Sequence, residues 1–144
     1  MREILFRGKT PSQDEYFDDG EWVQGFYTRF NGEEHRIYSG YAETDCGDYY
    51  PDWCNVRPET VGQYTGLTDK NGKKIFEGDI ISTDIKRPYL IVEFRDGCFM
   101  FNCNDGGEDY YDIMLPICKE AHTEYEYGEI IGNIHDNPEL LKGE

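Results

Sequence analysis

The sequence predicts a mainly β protein, and three observations carry that prediction. Turn signals recur at short intervals, the runs between them are aromatic and β-branched, and apolar residues lack the three-to-four spacing of amphipathic helices. Two dipeptides, Asn31-Gly32 and Asp96-Gly97, lie between arms of this kind and suit the left-handed backbone of a type I′ hairpin turn. A length of 144 residues fits one domain, or at most two small subdomains sharing a core. The aromatic content of 15% sets the chain apart from disordered sequences of similar charge.

Taken in order, the N-terminal MREILFRGKT holds an apolar run of only three residues between Arg2 and Arg7, short of a signal-peptide core or a membrane span. A soluble, cytoplasmic protein is expected. The stretch GEWVQGFYTRF-NG-EEHRIYSGY reads as a first hairpin; a two-residue loop at Asn31-Gly32 sets Arg29 opposite Glu34 and Phe26 opposite Ile37. Residues 39–55, SGYAETDCGDYYPDWCN, mix Gly, Pro and acids with Tyr and read as a long ordered loop or an irregular strand.

In TDKNGKKIFEGDII, residues 68–81, Asn71-Gly72 reads as a tight turn with Asp69 and Lys74 able to pair across it and Leu67 opposite Phe76. Glu77-Gly78-Asp79 then bends the chain into Ile80-Ile81, where glycine permits a kink. The next run, RPYLIVEFRDGCFMFNCN, closes at Asp96-Gly97 and pairs Arg95 with Cys98, Phe94 with Phe99, Val92 with Phe101 and Leu90 with Cys103. One face collects the apolar residues, including Cys103, and the other takes Glu93 and Arg95. In the tail, NIHDNPELLKGE, Asn137 is a cap and Pro138 the first position of a short helical turn.

Charge narrows the function classes. Against 14 basic side chains stand 30 acidic ones, a formal charge of −16 that repels phosphate backbones and anionic lipid. Membrane and nucleic-acid partners are disfavoured. An acidic balance serves solubility, and in a sharper reading it docks on a basic protein or imitates nucleic acid toward one. Single-stranded nucleic acid requires Arg2, Arg7, Lys9, Lys86, Arg87 and Arg95 to gather on one aromatic-lined face.

No stretch meets the demands of a known catalytic or metal motif. A phosphate loop needs four residues between its glycines and a hydroxyl after Lys; here five separate Gly66 from Gly72-Lys73, and Lys74 follows. A calcium loop from Asp69 places Lys73 and Lys74 where an oxygen ligand and a glycine belong, and one from Asn102 ends on Ile113 instead of a bidentate Glu. The five cysteines, Cys46, Cys54, Cys98, Cys103 and Cys118, form no C-x-x-C pair, and their odd number argues for reduced thiols. Cys98 and Cys103 point to opposite faces of a regular strand, whereas Cys46 and Cys54 could meet, with His35 or His122 as further ligands. No metal or cofactor is expected.

Across residues 56–81, VRPETVGQYTGLTDKNGKKIFEGDII resembles the signature of the YopX family, proteins found mostly in phages and prophages of bacteria. MREILFRGK with Glu21-Trp22-Val23-Gln24-Gly25 is similar to the family's opening, and EIIGNIHDNPELL to its ending. Arg57 departs from the acid often found there, and residues 39–55 and 102–127 align with nothing. The resemblance implies an N-terminal β-hairpin and sheet subdomain, residues 1–57, followed by a small SH3-like barrel, residues 58–144, and self-association. It supplies no catalytic residue. Gln63, Tyr64, Asp69 and Asp79 match the motif and form the candidate surface, although duties as turn or strand-end residues outweigh a functional role for each. A non-enzymatic accessory protein that binds another protein or itself thus ranks first. A small hydrolase using acids with His122 or His135 ranks second, and a single-stranded nucleic-acid barrel third.

Overall fold

The computed structural model describes residues 3–11, 20–43, 45–82, 89–105, 108–113 and 128–141, without the side chains of 41–43, 49–51, 103–105 and 108–113. The expectation is met: the chain is mainly β, all strand pairs are antiparallel, and helical residues among those described are confined to two 3-10 turns. It divides into two units, Met1–Gln63 and Tyr64–Glu144.

The first unit contains β1 (Phe6–Lys9), β2 (Trp22–Phe30), β3 (Glu34–Glu43), β4 (Tyr49–Asn55) and the beginning of β5 (Gly62–Thr68), in the order β4-β3-β2-β1-β5. At the first hairpin Asn31 (φ 53°) and Gly32 (φ 74°) take the left-handed conformation and the Glu33 amide donates to the Phe30 carbonyl, so the dipeptide turns the chain as expected. The register is not the expected one. Glu33 stays unpaired, Phe30 faces Glu34, Arg29 faces His35, and Tyr27 rather than Phe26 faces Ile37.

One inserted residue turns every side chain of a strand over. Here it buries Ile37 completely and leaves Phe26 69% exposed. Inward contacts hold that choice: the Tyr27 hydroxyl lies 2.6 Å from His35 Nδ1, and the Tyr27 ring centroid is 5.6 Å from that of Phe6. Residues 39–55 resolve into the second half of β3, a turn and β4, with a bulge between Tyr38 and Gly40. Gly25 stands where β2 stops facing β1 and starts facing β3, and a Cβ there would lie 2.0 Å from the Tyr38 carbonyl oxygen.

Behind β4, Pro58–Thr60 forms a 3-10 turn tied to β1. The Thr60 hydroxyl donates to the Arg57 carbonyl at 2.7 Å and accepts the Lys9 amide at 2.8 Å, and the Arg57 amide donates to the Lys9 carbonyl at 2.8 Å. Thr60 is buried, so these bonds satisfy groups that water does not reach.

The second unit completes β5 and adds β6 (Lys74–Phe76), β7 (Asp79–Ser82), β8 (Leu90–Arg95), β9 (Cys98–Asp105), β10 (Glu108–Ile113) and β11 (Glu129–Asn133). Its five-stranded sheet runs β10-β9-β8-β7-β11, open at both edges and consistent with a small barrel-like fold. The hairpin at Asp96-Gly97 has the expected register throughout, from Arg95 with Cys98 to Leu90 with Cys103. This register puts Val92, Phe99 and Phe101 on one face, where they are buried together with Leu67, Ile75 and Ile81. Each large side chain so covered contributes about 1.5–3 kcal/mol against exposure. Cys98 is half-buried; the side chain of Cys103 lies outside the described residues.

Gly25→Ala should lower stability by about 1–3 kcal/mol, because its neighbour is a strand carbonyl rather than a flexible side chain. Urea denaturation beside the exposed-site control Thr28→Ala measures this; equal midpoints would contradict the close approach.

Candidate interaction surface

Two places concentrate the residues of interest: the corner built by the family motif, in the second unit, and the outward face of the first unit's sheet.

At the corner, Asp69 is 5% exposed and its carboxylate is occupied by backbone amides. Oδ1 accepts Asn71 N–H and Lys73 N–H, each at 2.9 Å, and Oδ2 accepts the Ile130 amide of β11 at 3.1 Å. Burial pushes this carboxyl's pKa up, but the amides of Ile130, Lys73 and Asn71, helped by the Lys73 charge, outweigh it and hold the pKa below the ordinary carboxylate value. The turn differs from the expected one. Gly72 alone is left-handed (φ 82°), its amide donates to the Asp69 carbonyl, and Thr68 pairs with Lys74.

Leu67 does not face Phe76 as expected; Tyr64 does, after a register shift between Tyr64 and Thr68. The Thr65 hydroxyl fills the irregularity, donating to the Ile75 carbonyl at 2.9 Å and accepting the Leu67 amide at 3.1 Å. The Tyr64 ring lies 5.6 Å from that of Phe76 and 5.6 Å from the Lys74 ammonium. Asp79 is 1% exposed and its Oδ2 accepts the Phe76 amide at 2.8 Å, closing the turn through Gly78 (φ 89°). Gly78 bonds outward on both sides, its amide to the Val92 carbonyl and its carbonyl from the Ile134 amide. Gln63, half-buried, faces Phe6 across β1 and belongs to the first unit.

The expected ending is present with one change. The Leu140 amide donates to the Asn137 carbonyl to begin the Pro138–Leu141 turn, yet the Asn137 side chain turns back to accept the Asn133 amide at 3.3 Å. Asn133 Oδ1 takes the amides of His135 and Asp136, each at 2.9 Å. Of the residues considered for metal, Cys46 is exposed in a turn and Cys54 is buried in β4. No group of three or more potential ligands occurs among the described residues, and His122 and Cys118 lie outside them.

The outward face of β2, β3 and β4 is what sequence reasoning missed. Register aligns Phe26 with Tyr38 and Tyr38 with Trp53, a row of three aromatic residues across three adjacent strands. Phe26 is 69%, Phe30 43% and Trp53 40% exposed. Arg36, on the middle strand, has its guanidinium carbon 4.0 Å from the Phe30 ring centroid and 3.8 Å from that of Trp53. Its Nε donates to the Glu34 carboxylate at 3.1 Å and its Nη1 reaches the Tyr38 hydroxyl at 3.4 Å. Arg7 and Lys9 flank Trp22 at 4.5 and 5.6 Å at the β1 end of the sheet. Arg95 is in the second unit, beside Glu93, and Arg2, Lys86 and Arg87 fall outside the described residues.

These features define an antiparallel β protein whose motif residues hold its corners and whose aromatic residues break the surface on one sheet. The chain belongs to the YopX family: residues 5–142, nearly its whole length, match that family, described as YopX protein. Among solved structures it is similar to protein EF1440 from Enterococcus faecalis, with a TM-score of 0.59 and 23% identity over 98% of this chain and 99% of that one, a likeness of fold alone. No curated protein matches it. No described helix is long and apolar enough to cross a membrane.

Asp69→Ala should cost about 3 kcal/mol, since it strands amides that a charged acceptor now satisfies. Because the folded pKa is depressed, this stabilisation is complete above the unfolded value of about 4 and is lost as pH falls through the folded value. Denaturation of the wild type and Asp69→Asn between neutral and acid pH should therefore show their difference shrinking toward low pH. A constant difference would contradict the ionised state of Asp69.

Proposed function

We propose that this YopX-family chain is a phage- or prophage-encoded accessory protein of the host cytoplasm that works by binding another protein and not by catalysing a reaction. The observation that carries the reading is the aligned row of Phe26, Tyr38 and Trp53, in which Phe26 and Trp53 are exposed and Tyr38 is half-buried. Burying large apolar rings is the main driving force of association, and a sheet that already covers Ile37 and Cys54 on its inner side has no need of three more aromatics outside. Aromatic anchors at the centre of a polar surface are also where binding energy concentrates. The corner motif supports the reading from the other side. Asp69 and Asp79 are turned inward onto backbone amides, duties of architecture rather than proton transfer. The formal charge of −16 favours a basic partner and a fast, salt-sensitive encounter.

The test is affinity capture from a host lysate with the wild type and a Phe26→Ala/Trp53→Ala double variant, eluted along a salt gradient. A basic protein retained by the wild type should be lost or weakened about thirtyfold or more by the variant. A partner held equally by both would place the contact elsewhere, and turnover of a small substrate would overturn the reading.

A further inference from the structure

We infer that the outward face of the first unit's sheet binds single-stranded nucleic acid, its rings stacking the bases while the cations set among them take the phosphates. This goes beyond the docking role proposed above and makes nucleic acid and a protein partner competitors for one face.

Three observations point the same way. First, strand alternation and register gather five aromatic residues on this face: Trp22, Phe26 and Phe30 of β2, Tyr38 of β3 and Trp53 of β4. Phe26, Phe30 and Trp53 are exposed. Such platforms hold single strands whatever their sequence, because every base has a flat face to stack.

Second, the cations of the face are interleaved with its rings. Arg7 and Lys9 face Gln24 and Trp22 across β1 and β2, and they lie 4.5 and 5.6 Å from the Trp22 ring centroid. Arg36 lies over Phe30 and Trp53, at 4.0 and 3.8 Å, while Glu34 and the Tyr38 hydroxyl hold its N–H groups. A guanidinium plane fixed in this way is itself a surface on which a base stacks.

Third, the sign of the face is opposite to that of the molecule. Among its described side chains Arg7, Lys9 and Arg36 stand against Glu34. Asp52 points to the other side of β4 from Trp53, and Asp45 and Asp48 lie at the far end of the β3–β4 hairpin. The formal charge of −16 opposes phosphate for the chain as a whole. Exposed charges farther off than about 8 Å are largely screened at physiological salt, however, so the residues nearest the strand decide. Surface ion pairs are weak and exchange readily, and contacts that these cations already make do not bar a phosphate. An acidic peptide would answer the cations and leave the rings unused; a single strand uses both.

Both tryptophans of the chain, Trp22 and Trp53, lie on this face, so stacking is readable from their fluorescence. Full-length protein would be titrated against a fluorescein-labelled oligothymidine and a labelled peptide of alternating Glu-Ser, by anisotropy at about 0.05 and about 0.2 M salt, with unlabelled strand for tryptophan quenching. Oligothymidine should bind at the lower salt, quench the tryptophans and weaken about fivefold to twentyfold at the higher salt, while the peptide stays free. Phe26→Ala should weaken the strand about fivefold or more, with an unchanged thermal melt because the ring is already exposed. Lys9→Gln should flatten the salt dependence and keep the quenching. Absence of binding at the lower salt, binding indifferent to Phe26→Ala, or a peptide held as tightly as the strand would each overturn the inference. If oligothymidine fails while capture of the cellular protein still depends on Phe26 and Trp53, the docking role stands and this inference alone falls. If the strand binds while capture ignores both residues, the docking role alone falls.

Discussion

The second unit depends on one buried carboxylate. Asp69 satisfies two amides of its own turn and one of β11, so a single side chain sets the geometry of the β5–β6 turn and ties it to a strand at the sheet's far edge. Asp79 and Asn133 repeat the device on a smaller scale, each placing a side-chain oxygen against amides exposed where strands end. A β unit with short strands has many such ends. Hydrophobic burial of Ile75, Ile81 and Val92 supplies the driving force, but it does not tell a turn where to stop; the carboxylates and carboxamides do.

The division of labour also accounts for what the family motif is. From Thr60 through Asp79 four of its polar residues are turned inward: the Thr60 hydroxyl fastens the 3-10 turn to β1, the Thr65 hydroxyl bridges a register shift, and Asp69 and Asp79 close turns. A run of polar residues that looks like a site in one dimension is a set of internal fasteners in three. The surface that faces outward is drawn from a different part of the chain, β2 to β4.

How much of this was legible in the sequence varied with physical cause. The hairpin around Asp96-Gly97 was readable to the residue because a two-residue turn at that dipeptide lines up Leu90, Val92 and Phe94 with Cys103, Phe101 and Phe99, and a one-residue slip would turn Val92 away from Phe101. At Asn31-Gly32 the turn was readable and the register was not, since an unpaired Glu33 leaves no mark in composition and Phe26 and Tyr27 are equally apolar candidates for the inside. Thr65 concealed the shift that puts Tyr64, not Leu67, opposite Phe76. The aromatic row was hidden for a related reason. Aromatic residues on both parities of β2, Phe26 and Phe30 on one side and Tyr27 on the other, signal a strand with two apolar faces, but only the fold says which face is covered.

The reach of the Asp69 bonds has a meaning for how the chain finds its shape. Two of them close over two and four residues, the third over 61. Closing a short loop costs far less entropy than closing a long one, so the turn can acquire its acceptor while the rest of the unit is still a searching coil. The remaining oxygen then waits, desolvated only when β11 arrives. The same atom group thus records both a local beginning and a distant completion, and the polar corner serves as a latch set early and shut last.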